Sequence, residues 1–189
     1  MLGSRRHGFT FLEIIIVVAI MGILATFIAP NFRNLLPGYS RKQFIAKLNG
    51  LMRVAWHDAV VTHKLHKVLF DIEKRTVDIQ IESGKQGDEI KFSSIKTPFL
   101  NSLYQWPDDN FEFKNFYIGN RDEITSAFKS TGKGKIWYFI TPDGLSQPVT
   151  LNIVDIKDTG ASSQGVQFSL VLNPFSVQFK EYDVFQKPK

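Results

Sequence analysis

A few residues in this 189-residue chain have types and spacings that bear on chemistry. His57, His63 and His66 lie close together, but only His63 and His66 stand at a helical spacing, and no acidic cluster completes a metal set. They read as solvated or helix-end histidines, and no metal is expected. Thr131-Gly132-Lys133-Gly134-Lys135 lacks the full spacing of a phosphate loop and the helix that should follow one, so it reads as a flexible basic loop. Asp108-Asp109 and Asp122-Glu123 lack the alternating oxygen ligands of a calcium loop. No nucleophile, base and orienting group share a readable spacing, which points away from an enzyme and from any cofactor. That leaves Glu13, the only charge in the 21 residues from Phe9 to Ala29.

As a helix at ~1.5 Å per residue, that apolar stretch spans roughly 31 Å, about the hydrocarbon thickness of a bilayer. A carboxylate deep in a bilayer costs about 2.5–3.5 kcal/mol on insertion scales, so its presence needs a reason. One reason is local: Thr10-Phe11-Leu12-Glu13 is a capping box, in which Thr10 and Glu13 satisfy amides at a helix start. A cleaved secretory signal does not fit, because the apolar stretch is too long and Phe27-Ile28-Ala29 is a poor cleavage site. A plain signal anchor fits the length, with Arg5 and Arg6 on the cytoplasmic side. It gives no role to Gly8 or Glu13.

Arg5-Arg6-His7-Gly8, then Phe9-Thr10-Phe11-Leu12-Glu13 and the apolar run, closely resembles the signal of type IV pilins and type II secretion pseudopilins. The resemblance implies that a prepilin peptidase cuts between Gly8 and Phe9, and that Phe9 becomes the N-methylated residue. It makes Glu13 the assembly residue, whose carboxylate meets the free amine of Phe9 on a neighbouring subunit. Low dielectric gives such a charge pair its physical sense. Gly22 and Pro30 fall where helices of this family carry residues that weaken the helix, so the segment between them is expected to be able to unwind in a fibre.

The rest of the chain reads as a folded domain. Its formal charge is +5, or 21 − 18 = +3 without Arg5 and Arg6, too mild to argue for a nucleic-acid partner. There is no cysteine, which removes disulfides and thiolate metal sites. Between Arg41 and Val61, apolar Phe44, Ile45, Leu48, Leu51, Met52, Ala55 and Ala59 recur at steps of three and four, predicting an amphipathic helix. Pro37-Gly38 should break or kink it at its start. His66 to Ile72 and Val77 to Glu82 alternate around Glu73-Lys74-Arg75-Thr76 as a hairpin. Further strands are expected at 89–92, 111–118, 136–141, 149–155, 166–172 and 176–182, with Pro142-Asp143-Gly144 turning between two of them. Gly119 to Lys135 reads as a long polar connection.

The fold class is therefore α+β: a long N-terminal helix, half transmembrane and half amphipathic, packed on an antiparallel β-sheet domain. The expected division is a cytoplasmic leader 1–8, an assembly helix 9–30, an amphipathic helix 31–64 and a periplasmic β-rich domain 65–189. Within the superfamily, three stretches resemble the GspH/FimT-like branch. Leu51 to Ala59 is similar to the end of its helix, although Ala55-Trp56 replaces the usual Ala-Arg pair. Lys67 to Asp71 is similar to its first strand, and Tyr138 to Gly144 followed by Val149-Thr150-Leu151 to its later hairpin. The resemblance implies a GspH-like minor pseudopilin in the bacterial inner membrane. Its partners would be prepilin peptidase and other pseudopilins. The alternative is a FimT-like minor type IV pilin in pilus initiation or DNA uptake. Against DNA as a partner, the tail holds only Lys187 and Lys189, without an arginine run. An uncleaved membrane-anchored binding protein is the third possibility.

Overall fold

The computed structural model describes residues 10–34, 38–87, 89–97, 100–106, 110–131, 134–158 and 165–188, with the side chains at 27–34, 96–97, 100–101 and 129–131 outside that description. The chain forms two compact units, Met1–Tyr39 and Ser40–Lys189. The first holds helix α1 (Phe11–Asn34). Its start is fixed by Thr10, whose hydroxyl accepts the Glu13 amide at 3.3 Å while its carbonyl accepts the Ile14 amide at 3.3 Å. The backbone stays helical through Gly22 and Pro30 to Asn34.

The second unit begins with α2 (Tyr39–Thr62), which follows Gly38 in the left-handed region at φ 69°. Phe44, Leu48, Leu51, Met52, Ala55 and Ala59 form its buried stripe, while Lys42, Lys47 and Arg53 stay in solvent. Beyond Thr62 the chain turns through His63, at φ 52°, a left-handed residue of the kind that closes helices.

Two antiparallel five-stranded sheets follow. The first has the order β3 (Glu89–Ser94), β2 (Thr76–Gln86), β1 (His66–Asp71), β9 (Lys135–Ile140), with β6 (Leu103–Gln105) paired to the start of β2. Val68 lies between Ile79 and Tyr138, and Phe70 between Val77 and Ile136, so these side chains share the buried face. The second has the order β12 (Gln178–Tyr182), β11 (Val166–Asn173), β10 (Val149–Asp155), β7 (Phe111–Ile118), β8 (Arg121–Asp122). Short strands β4 (Lys96–Thr97) and β5 (Leu100–Asn101) pair with each other, and α3 (Glu123–Thr131) follows β8. The sheets meet in one core, with the Phe70 ring 5.1 Å from that of Phe116.

Strand β10 is buried along its whole length because both of its faces are covered. Leu151 and Ile153 enter the core. On the other face the Asn152 amide donates to Asn115 Oδ1 and to the Gln186 carbonyl, and its oxygen accepts the Gln186 amide. The C-terminal tail is thereby strapped across the sheet.

Three expectations need correction. The polar stretch 119–135 holds α3, because Asp122 Oδ1 accepts the Ile124 amide as a helix cap and Ala127 buries an apolar side. Tyr138 to Leu151 is a hairpin only as far as Gln147: Gly144 N–H donates to the Thr141 carbonyl in a tight turn and Ile140 bridges Ser146, but β9 and β10 lie in different sheets. His66 is neither solvated nor at a helix end. It is fully buried on β1, with Nε2 2.8 Å from Asp58 Oδ2 and Nδ1 2.9 Å from the Lys64 carbonyl. These two contacts tie the end of α2 to β1.

Gly144 shows why the turn residue matters. Its φ is 76°, and a Cβ there would stand 2.8 Å from Trp56 Nε1 and 3.0 Å from a Val60 methyl. Gly144→Ala is expected to lower stability by about 2 kcal/mol from the left-handed penalty and the clash together. A denaturant midpoint unchanged by this substitution would show that the turn yields freely.

Candidate assembly site

The expected cleavage residues Gly8 and Phe9 lie outside the described residues, as does Pro37. Among the described ones, α1 presents apolar side chains in every direction: Phe11, Leu12, Ile14 to Val18, Ile20, Met21, Ile23 and Leu24 are all exposed. Such a helix has no polar face to give to water. It is built to be enclosed by lipid or by other helices. Among the described residues no helix is long and apolar enough to cross a membrane. The described side chains of α1 run from Phe11 to Thr26, about 24 Å at ~1.5 Å per residue.

Glu13 sits in the first turn of this helix, where the exposed amide ends favour a carboxylate. Its own amide is engaged by Thr10, and its carboxylate has no partner among the described residues. The carboxylate is thus available to a group outside the helix. A Cβ at Gly22 would meet nothing within 4 Å, so packing within the described residues does not require glycine there. Pro30 has helical backbone, and its side chain lies outside the described set.

In the second unit, several residues with no sequence signal of their own hold α2 to the sheets. Arg41 lies 3.2 Å from Glu181 on β12, and its guanidinium stands 5.5 Å from the Phe168 ring on β11. The pairing with Glu181 is one of charge, since Arg41 Nε makes no directed hydrogen bond. Asp155, buried nearby on β10, has its carboxyl pushed above the usual range by burial, an effect the amides of Asp158 and Lys157 partly oppose. Asn49 copies a peptide group: its Oδ1 accepts the Phe179 amide at 2.7 Å and its Nδ2 donates to the Phe179 carbonyl at 3.0 Å. Trp56 Nε1 donates to the Gly144 carbonyl at 3.0 Å. The tryptophan that departs from the branch pattern therefore clamps the turn that matches it. In the core, Tyr138 places its hydroxyl 2.9 Å from Met52 Sδ, and complete burial pushes that phenol well above its ordinary range.

Residues 3–29 match the prokaryotic N-terminal methylation motif. No curated protein matches the chain in sequence. Two solved structures of the minor pseudopilin EpsH from the type 2 secretion system of Vibrio cholerae are similar in fold. One has a TM-score of 0.51 at 10% identity, covering 75% of this chain and 95% of that one. The other has a TM-score of 0.51 at 10% identity, covering 79% and 97%. The chain joins a prokaryotic N-terminal methylation motif to a domain with the fold of a minor pseudopilin.

Proposed function

We propose that this chain is a GspH-like minor pseudopilin of a bacterial type II secretion system. Prepilin peptidase cuts it after Gly8 and methylates Phe9, and it then enters the periplasmic pseudopilus through the helix that starts there. It sits in the inner membrane by that helix, with the β domain in the periplasm. Its work is packing and charge registration, not catalysis. The observation that carries this proposal is the coincidence, within the matched motif, of the Gly8-Phe9 sequence with a helix whose Glu13 has no partner among the described residues and whose surface is apolar on every side. The pseudopilin-like fold behind it supports the secretion system over the pilus.

Deleting the gene should stop export of type II substrates and leave type IV pili intact. Loss of pili with normal secretion would assign the subunit to the other machine. Gly8→Leu should leave the protein at precursor size on a gel, because a branched side chain prevents close approach of the backbone to the peptidase. A mature-size product from that variant would place the cut elsewhere.

A further inference from the structure

The first sheet has an edge that the chain closes only in part. Ile72 N–H donates to the Gly134 carbonyl, at the start of the β1–β9 ladder. By alternation Ile136, Tyr138 and Ile140 turn their backbone groups toward β1, and Lys135, Trp137 and Phe139 turn theirs away. Phe139 bears this out: its N–H donates to Gln147 Oε1 at 3.1 Å, and its carbonyl accepts the Gln147 amide at 3.4 Å. Together with the Ile140–Ser146 bridge, the chain has begun to add a strand to this edge. It stops at Pro148, which has no N–H, and passes to β10 in the other sheet. The outward N–H and carbonyl of Trp137 have no partner among the described residues.

Beside this open peptide group lies a cavity of ≈ 240 Å³ between α3 and β9. Ile118, Ala127 and Ile136 supply its apolar wall, and Ser126 and Gln147 its polar one. The charges around it do not balance. Arg121 is paired with Glu123, and Lys135 lies 3.9 Å from Asp71. Lys67, on the same outer face of the sheet, has no carboxylate partner among the described residues: its ammonium is 4.4 Å from the Trp137 ring and 5.5 Å from that of Phe92. Burial and the charge of Lys135 hold Lys67 below its ordinary range, so a nearby carboxylate would be welcome to both lysines.

We propose that the free edge of β9 at Trp137 takes an extended segment of a partner protein, one with an acidic side chain next to an apolar one. The segment continues the strand that Ser146 and Gln147 begin, pairing its peptide groups with those of Trp137. Its apolar side chain fills the cavity beside α3, and its carboxylate lies along Lys135 and Lys67. This inference stands apart from the proposed function, since it uses only the β domain.

The test is amide exchange at Trp137 in the full-length protein in detergent micelles. The probe is a capped octapeptide alternating valine with glutamate and threonine, beside its lysine-for-glutamate counterpart. Without peptide the Trp137 amide should exchange rapidly, and the acidic peptide should slow it about tenfold or more. Salt should weaken the effect, and the lysine peptide should have none. Lys135→Gln should remove the charge preference. Ser126→Trp, at an exposed position on α3, should fill the cavity and abolish protection without disturbing the core. Slow exchange at Trp137 without peptide would overturn the proposal, as would equal protection by both peptides. Protection that rises with protein concentration alone would overturn it too, in favour of a second copy as the occupant.

Discussion

Glu13→Val is expected to leave cleavage after Gly8 intact while lowering incorporation into the fibre about a hundredfold or more. Removing one member of a charge pair in low dielectric costs about 3–5 kcal/mol, and each 1.4 kcal/mol is about tenfold. The cost falls on assembly alone. Valine is cheaper than glutamate in a bilayer by about 2.5–3.5 kcal/mol, so the variant should remain in the membrane. Helix formation should also survive, because the Thr10 hydroxyl accepts the backbone amide of residue 13, which valine retains. The measurement is twofold: size on a gel for cleavage, and cross-linking to the other pseudopilins for incorporation. Full cross-linking by the valine variant would refute the role of Glu13 as the registering charge.

Phe44→Ala should be the most damaging single truncation in the β-domain unit. Phe44 is wholly buried near the start of α2, with its ring 4.8 Å from Phe111, 5.9 Å from Trp106 and 6.2 Å from Tyr104. Those three partners come from β6, the segment just after it, and β7, so one ring joins α2 to both sheets. Truncation to alanine at such a site costs about 3–5 kcal/mol in lost burial and residual cavity. The total stability of a domain is about 5–15 kcal/mol, so a large part of it should go. The expected result is a lower denaturant midpoint with an unchanged slope. Phe128→Ala, a ring nearly half exposed on α3, is the comparison and should cost far less. Equal losses from the two would show that α2 contributes little to holding the sheets together.

How much of this was legible depends on how local each feature is. The N-terminal motif is contiguous, so Gly8, Phe9 and Glu13 could be picked out from their order alone. The stripe of α2 and the alternation of Val68 and Phe70 are also short-range, and both gave the right elements. The division into two sheets was not legible, because β9 and β10 leave the Pro142-Asp143-Gly144 turn as if they were to pair. What parts them is the later course of the chain past Gln147 and Pro148. Helix α3 was hidden by polar residues on its solvent side, although Asp122 before Ile124 and Ala127 was a usable signal. His66 looked like part of a histidine cluster because Asp58, its partner, lies on a different element. The pairing of Asn49 with Phe179 joins residues 130 apart, and no local pattern announces it.

That pairing has a mechanical consequence. Under the proposed function, tension on the N-terminal helix enters the β-domain unit where α2 begins. Arg41, held at Glu181, is the first polar anchor along α2, and Asn49, held by two hydrogen bonds to Phe179, is the next. Both anchors lie on β12, an edge strand of the second sheet. Two parallel bonds at Asn49 must break together, whereas bonds pulled in sequence fail singly. The asparagine thus acts as a rivet, passing strain from a helix into a sheet alongside the apolar contacts of Phe44 and Leu48.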